Sequence, residues 1–209
     1  YIGTLLIKKL LTQKHNVICI DNQLFGNHLK KNRRLKLIKE NIFNINNLKI
    51  NKKIQAVIHL SAIANDPMAD LKPNLSWETS SLGTLELIKF AKKNGVKRII
   101  YASSGSVYGI KKERKVHENL ELYPISLYNK VKMVTERILL SHKNEFEIFI
   151  IRPATVCGFS PRMRLDVTVN ALTFSALSKK KIKVFGGSQI RPNIHIDDMV
   201  NLYLFMLKT

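Results

Sequence analysis

Acidic residues are scarce in this chain. Its 209 residues include 15 Asp and Glu against 35 Lys and Arg, a formal net charge of +20. Such an excess first suggests a polyanion held through its phosphates. The distribution argues against one. The basic clusters are short, Lys30, Lys31, Arg33 and Arg34 in one place and Lys179, Lys180 and Lys181 in another, with no aromatics interleaved. A nucleic-acid footprint concentrates on one face, whereas here lysine is spread along a chain also rich in Asn and Ile. No nucleic-acid partner is expected, and the charge balance suits a small anionic substrate.

Cysteine is nearly absent. Cys19 and Cys157 are the two present, and they form no metal-ligand spacing. Cys19 lies in an apolar run and reads as a small hydrophobe. Thiols so placed predict a reducing, cytoplasmic location. No uninterrupted apolar run is long enough to span a bilayer, so no membrane association is expected. Tyr1–Leu11 is largely apolar, but no small-residue cleavage site follows it. The chain starts without methionine and stops just after a helix-like run, which reads as a piece of a longer protein. Its hydrophobic content of 45% is ordinary for a globular core.

Strand-like and helix-like segments alternate. The spacing of Leu6, Ile7 and Leu10 predicts a helix over Gly3–Lys14. Asn16–Asp21 reads as a buried strand, followed by a polar Lys/Asn-rich stretch with a short strand at Asn41–Ile45. Gln55–Leu60 is the next strand. Leu82–Asn94 is a helix with Leu85, Ile88 and Ala91 on one face, stopped by Gly95. Lys97–Tyr101 is a strand, Ser126–Lys143 a long helix and Glu147–Ile151 a strand. Beyond Gly158 the pattern predicts a helix over Arg162–Lys180, a short strand with a turn in KIKVFGG, and a last helix over Asp197–Lys208 capped by Asp197. Trp77 and the phenylalanines are expected in the core. The alternation points to an α/β fold, a doubly wound parallel sheet (Rossmann-like) over residues 1–158, with a smaller, incomplete C-terminal substrate lobe over residues 159–209. In such sheets ligands bind beyond the carboxyl ends of the strands. Asp21, Ser61 and Ala62, Ser103 to Ser106 and Pro153 to Thr155 all fall there.

One of these strand ends is unusual. YASSGSVYG, Tyr101–Gly109, holds three serines and two glycines, more than a turn requires. It precedes YPISLYNKVKMVTE, in which Tyr128 and Lys132 stand four apart and share one helix face. A free tyrosine titrates near pH 10, and an ammonium alongside favours the phenolate. The pair can therefore work as a general base near neutral pH, with a serine hydroxyl holding the substrate against it.

These segments resemble the extended short-chain dehydrogenase/reductases, in the NAD-dependent epimerase/dehydratase family acting on nucleotide sugars. YIG resembles the end of that family's glycine-rich loop, with the first strand and earlier glycines missing. VIHLSA resembles the strand end lining the cofactor. SSGSVYG with Tyr128 and Lys132 resembles the catalytic segments, and RPATVCGFSPR and RPNIHIDD resemble those meeting the sugar nucleotide. The resemblance implies Tyr128 as acid/base, Lys132 as its partner and a holder of the nicotinamide ribose, and Ser104 as the catalytic hydroxyl. It implies NAD as cofactor, held by Ile2, Gly3, Asp21, Asn22, Asn41, Ile42, Leu60, Ser61, Ala62, Ser80, Ser103, Tyr128, Lys132 and Pro153. A carboxylate at Asp21 repels a 2′-phosphate and so favours NAD over NADP. Substrate contacts are implied for Ser104, Gly105, Ser106, Thr155, Asn170 and Arg191, whose guanidinium suits a diphosphate. Ser80 stands where the family usually carries asparagine, and Thr155 and Cys157 where many epimerases carry asparagine and tyrosine. His195, Asp197 and Asp198 could be read as a metal cluster, but Asp197 reads as a helix cap and the family needs no metal.

Dehydratases of this family carry an Asp-Glu pair directly after the catalytic hydroxyl. Here Gly105 and Ser106 occupy those places, and neither does acid/base work. The resemblance therefore implies first a nucleotide-sugar epimerase of the UDP-glucose 4-epimerase type, and second a dehydrogenase or 4-ketoreductase. A non-catalytic NAD-binding sensor or scaffold is a further alternative, though such proteins usually lose the tyrosine or lysine. A homodimer paired through the helix bearing Tyr128 is expected by analogy.

Overall fold

The computed structural model describes residues 1–209. Helix α1 (Ile2–Thr12) leads to strand β1 (Val17–Asp21) and its neighbour β2 (Leu35–Lys39). Strands β3 (Ala56–His59), β4 (Arg98–Ala102) and β5 (Glu147–Ile151) form a parallel sheet in the order β3-β4-β5. Two short helices, α2 (Asp66–Leu71) and α3 (Pro73–Trp77), precede α4 (Gly83–Lys93), and α5 (Leu127–Leu140) joins β4 to β5. Strand β6 (Thr155–Cys157) pairs in parallel with β7 (Asn193–His195), and helices α6 (Thr168–Lys179) and α7 (Ile196–Met206) complete the chain. The result is an α/β fold with parallel strands.

The chain forms two compact units. One comprises Tyr1–Cys19, Gln23–Leu37 and Pro153–Thr209, the other Ile20–Asn22 and Ile38–Arg152. This division does not follow the boundary at Gly158, because α1 packs against α7. Leu6, Ile7 and Leu10 of α1 and Ile196, Met199, Val200, Tyr203 and Leu204 of α7 are buried in the first unit. The second unit has its core in Ile88, Ala91, Val96, Ile99, Tyr101, Leu139 and Phe146, contributed by α4, α5 and the sheet. Its α4 ends at Lys93 with Asn94 as the cap, and Gly95 takes φ +64°, the left-handed turn that a side chain disfavours.

Several local expectations need correction. Asn41–Ile45 is no strand. Asn41 caps a 3₁₀ turn, Ile42–Asn47, with its side-chain oxygen accepting from the Phe43 amide, and an Asn-rich segment suits such local bonding better than a ladder. The strand of this region is β2, whose apolar residues Leu35, Leu37 and Ile38 sit among lysines. The helix expected from Arg162 starts only at Thr168, because the Asn170 side chain holds Gly158 and Arg164 in an irregular loop. KIKVFGG contains no strand; β6 and β7 supply the pairing instead. The cap of α7 is His195, whose Nδ1 accepts from the Asp197 amide, rather than Asp197 itself. Leu85 is partly exposed, the buried face of α4 being Leu87, Ile88, Phe90 and Ala91. Trp77 is half-buried, and Phe25, Phe159, Phe174, Phe185 and Phe205 are exposed. Phe205 lies off the buried stripe of α7, and Phe25 is covered by the Arg162 guanidinium, 4.0 Å from its ring centre.

Candidate active site

The hydroxyl-rich turn after β4 and the first turns of α5 come together in the second unit. β4 ends at Ala102. The Ser103 amide donates to the Ile151 carbonyl at 2.8 Å, which holds the end of β4 to that of β5. Ser104 then caps a 3₁₀ turn, Gly105–Tyr108, accepting from the Ser106 amide at 3.3 Å. Its Oγ lies 2.7 Å from the Ser106 Oγ, and the Ser106 hydroxyl donates to Asn129 Oδ1. On the other side, Ser126 caps α5 by accepting from the Asn129 amide at 3.2 Å. Tyr128 follows in the first turn of the helix, partly buried.

Lys132 lies one turn on. It is 3% exposed, and its ammonium donates to the Ala102 carbonyl at 2.7 Å. The same nitrogen stands 5.7 Å from the Tyr128 ring centre and 4.9 Å from that of Tyr101, within reach of a cation–π attraction. Burial pushes the Lys132 ammonium down to about 7, with Glu136 partly opposing the shift. His59 is pushed down to about 3 by burial and then by Lys132; it is neutral and shares a hydrogen bond with Thr84 Oγ1 at 2.9 Å.

Two residues not anticipated from the sequence support this face. Glu136, one turn beyond Lys132 and 1% exposed, accepts from Arg152 Nη2 at 2.7 Å and from Arg152 Nε at 3.0 and 3.2 Å on its two oxygens. It also accepts from the Ser103 hydroxyl. Arg152 Nη1 donates to the Tyr108 hydroxyl at 2.8 Å. The i, i+4, i+8 spacing of Tyr128, Lys132 and Glu136 was visible in the sequence, but the partner of Glu136 was not. Asn129, 8% exposed, is the other.

The remaining candidates in this unit are dispersed along its strand ends. Asp21 and Asn22 are exposed at the end of β1, and the Asp21 carbonyl accepts from the Glu40 amide at 3.2 Å. Ile42 is buried and would touch any side chain placed at Gly83. Leu60, Ser61 and Ala62 follow β3 directly. Ser80 is buried within a π-type turn, Glu78–Leu82, and its carbonyl accepts from Thr84 Oγ1; turns of this kind recur at functional sites.

In the first unit, Ile2 and Gly3 open α1, and Pro153 leads into β6, where the Thr155 amide donates to the Pro192 carbonyl at 3.2 Å. Asn170 is 5% exposed and engaged on both ends of its amide. Oδ1 accepts from the Gly158 amide at 2.9 Å, and Nδ2 donates to the Arg164 carbonyl at 2.9 Å and to the Tyr1 hydroxyl at 3.2 Å. Arg191 is exposed, and its carbonyl accepts from Asn193.

Known proteins share this arrangement of sequence and fold. The chain is 32% identical to the uncharacterized UDP-glucose epimerase YtcB of Bacillus subtilis, over 96% of its own length and 67% of that protein's. It is 28% identical to a UDP-glucuronic acid 4-epimerase from Bacillus cereus, solved with UDP-glucuronic acid and NAD, with a TM-score of 0.86 over 100% of this chain and 70% of that one. It is 27% identical to the UDP-glucose 4-epimerase of Thermotoga maritima, solved with UDP-glucose, with a TM-score of 0.86 over 98% of this chain and 69% of that one. The family model described as NAD dependent epimerase/dehydratase matches residues 1–209, and the chain belongs to that family.

Proposed function

We propose that this protein is a nucleotide-sugar 4-epimerase that acts on a UDP-sugar and retains its NAD. The observation that carries the reading is the placing of Tyr128 and Lys132 on one face of α5, beside a turn in which Ser104 is followed by no carboxylate. The nearby carboxylate is Glu136, and Arg152 and Ser103 engage it. Those bonds tie up its oxygens, so it is not placed to serve a leaving hydroxyl. The likeness to the Bacillus cereus and Thermotoga maritima 4-epimerases supports the same class and a UDP moiety.

The residues present fit the cofactor. An ammonium carries three N–H donors, and the buried one of Lys132 has the Ala102 carbonyl as its protein acceptor. Two donors remain for ribose hydroxyls at the carboxyl end of β4, where parallel sheets bind ligands. Asp21 ends β1 with an exposed carboxylate suited to the adenosine ribose. Bound there, NAD would supply the hydride acceptor and donor for the sugar carbon.

In this reading Tyr128 takes the proton of the sugar's 4-hydroxyl and gives it back after the sugar has turned. A charged Lys132 beside it favours the phenolate, and Ser104 holds the oxygen that changes between alcohol and ketone. Gly105 leaves room for the turn.

The test is to incubate the intact protein, without added cofactor, with UDP-, dTDP- and GDP-sugars and to follow products by proton NMR. Inversion of a UDP-sugar at C4 without added NAD is the expected outcome. Product formed only with stoichiometric conversion of added NAD or NADH would make it a dehydrogenase or reductase instead.

A further inference from the structure

Glu136 is the buried carboxylate of this face, and its bonds fit it for more than holding a helix. Its oxygens accept from Arg152 Nε at 3.0 and 3.2 Å and from Arg152 Nη2 at 2.7 Å. A guanidinium keeps its charge at every relevant pH, so it favours the ionised form of Glu136, which is 1% exposed. The bond donated by the Ser103 hydroxyl favours that form as well. Lys132 stands one turn earlier on the same face of α5. Its ammonium is held on the Ala102 carbonyl, next to Ser103 in the chain.

An ammonium that is 3% exposed is hard to keep charged. Burial favours its neutral form, and Glu136 opposes that. The other groups around Lys132 bring no carboxylate. Tyr101 of β4 and Tyr128 of α5 present ring faces, and His59 of β3 is neutral. The Tyr108 hydroxyl accepts from Arg152. On the elements packed against α5, Asp66 and Asp70 of α2, Glu78, Lys89, Lys92 and Lys93 of α4, and Glu147 of β5 are exposed. Glu86 of α4 is engaged by Lys89 and Asn46.

Resting on the 4-epimerase reading above, we propose that Glu136 is a positioning residue for the acid/base pair: held as a carboxylate by Arg152, it keeps Lys132 a charged ammonium and, through Lys132, keeps the Tyr128 phenolate within reach. Glu136, Lys132 and Tyr128 follow one another at one-turn steps along the helix, so each charge bears on the next. A carboxylate raises the pH at which a neighbouring ammonium gives up its proton. Without it Lys132 becomes neutral at lower pH, and turnover, which needs the charged form, falls away at lower pH too.

The test is the pH profile of kcat for UDP-sugar epimerisation by the intact protein, in wild type, Glu136→Gln and Arg152→Lys. Glu136→Gln keeps the shape and removes the charge. Its alkaline limb is expected to move to lower pH by about one unit, the effect of one charge about 10 Å away at an effective dielectric constant of about 20. Arg152→Lys keeps a cation beside Glu136 and is expected to leave the limb in place, even where it lowers stability. Glu136→Gln leaves Arg152 without its partner. Glu136→Gln combined with Arg152→Met leaves no charge at the pair, and its limb is also expected below that of wild type. Thermal melting and NAD content report any loss of fold. A residue that only packed the helix would lower kcat or the melting temperature and leave the limb where it is. An alkaline limb at the wild-type pH in the Gln variants, or an equal shift in Arg152→Lys, would overturn the proposal. A wild type that inverts no UDP-sugar would remove the 4-epimerase reading and this proposal with it, whereas an active wild type with either adverse result removes the proposal alone.

Discussion

In the proposed reaction, Tyr128 is the residue on which the chemistry turns. Replacing it with Phe deletes one oxygen and leaves the ring that lies beside Lys132. Turnover is expected to fall by about 10²–10⁴-fold, the usual contribution of a positioned acid/base, while NAD stays bound. Single-turnover and steady-state rates check this, and near-normal turnover would remove Tyr128 from the role. Gly109 matters for a different reason. It takes φ +70°, and a Cβ there would come within 2.1 Å of the Tyr123 carbonyl oxygen. The Tyr123 amide in turn donates to the Val107 carbonyl at 3.0 Å, so backbone meets backbone with no flexible side chain to yield. Gly109→Ala is expected to destabilise by more than about 2 kcal/mol, since the left-handed conformation alone costs about 1–2 kcal/mol. A urea midpoint close to wild type would show that the loop relaxes at little cost.

Helix α5 presents Tyr128, Lys132 and Glu136 on successive turns, and its position depends on the last of these. Glu136 joins the helix to the turn after β4 through Ser103 and to the residue after β5 through Arg152. Removing one member of a buried ion pair strands the other and costs about 3–5 kcal/mol. Arg152→Met is therefore expected to destabilise by that amount, and Glu136→Leu combined with Arg152→Met to cost less than the sum of the two singles. Urea denaturation of the four proteins measures the coupling. Strict additivity would mean that the pair does not hold the helix in place.

For the whole molecule, two buried groups govern the response to pH. His59 titrates near 3 in the fold against an ordinary 6.5, and Lys132 near 7 against 10.5. In both cases the unfolded chain binds the proton more readily, so stability rises with pH between the two values of each group. The contribution of Lys132 is fully present above 10.5 and is lost as pH falls through about 7. That of His59 is present above 6.5 and is lost as pH falls through about 3. The apo-protein is therefore expected to melt at a higher temperature at pH 9 than at pH 5. Lys132→Met should flatten the upper part of that rise while abolishing most activity. The net charge of +20 acts in the same direction through self-repulsion. High salt screens that contribution but leaves the buried groups largely unaffected. A melting temperature independent of pH at high salt would show that neither group is as buried as the structure places it.

The alternation of apolar strands with amphipathic helices, and the four-residue step from Tyr128 to Lys132, follow from local periodicity. A 3.6-residue helix puts those two side chains together whatever it packs against, and the hydroxyl-rich turn at the end of β4 was equally visible. What packing decided were the pairings between distant segments. Glu136 meets Arg152 because β5 ends beside α5, and Ser106 meets Asn129 because the turn after β4 folds against the first turn of the same helix. The 3₁₀ turn at Ile42 and the late start of α6 belong to the same class, since an asparagine side chain bonding backbone outcompeted a weak periodic pattern. Periodicity along a chain reports which face a residue occupies. Which group it meets there depends on how the elements are stacked, and that information lies in the tertiary structure alone.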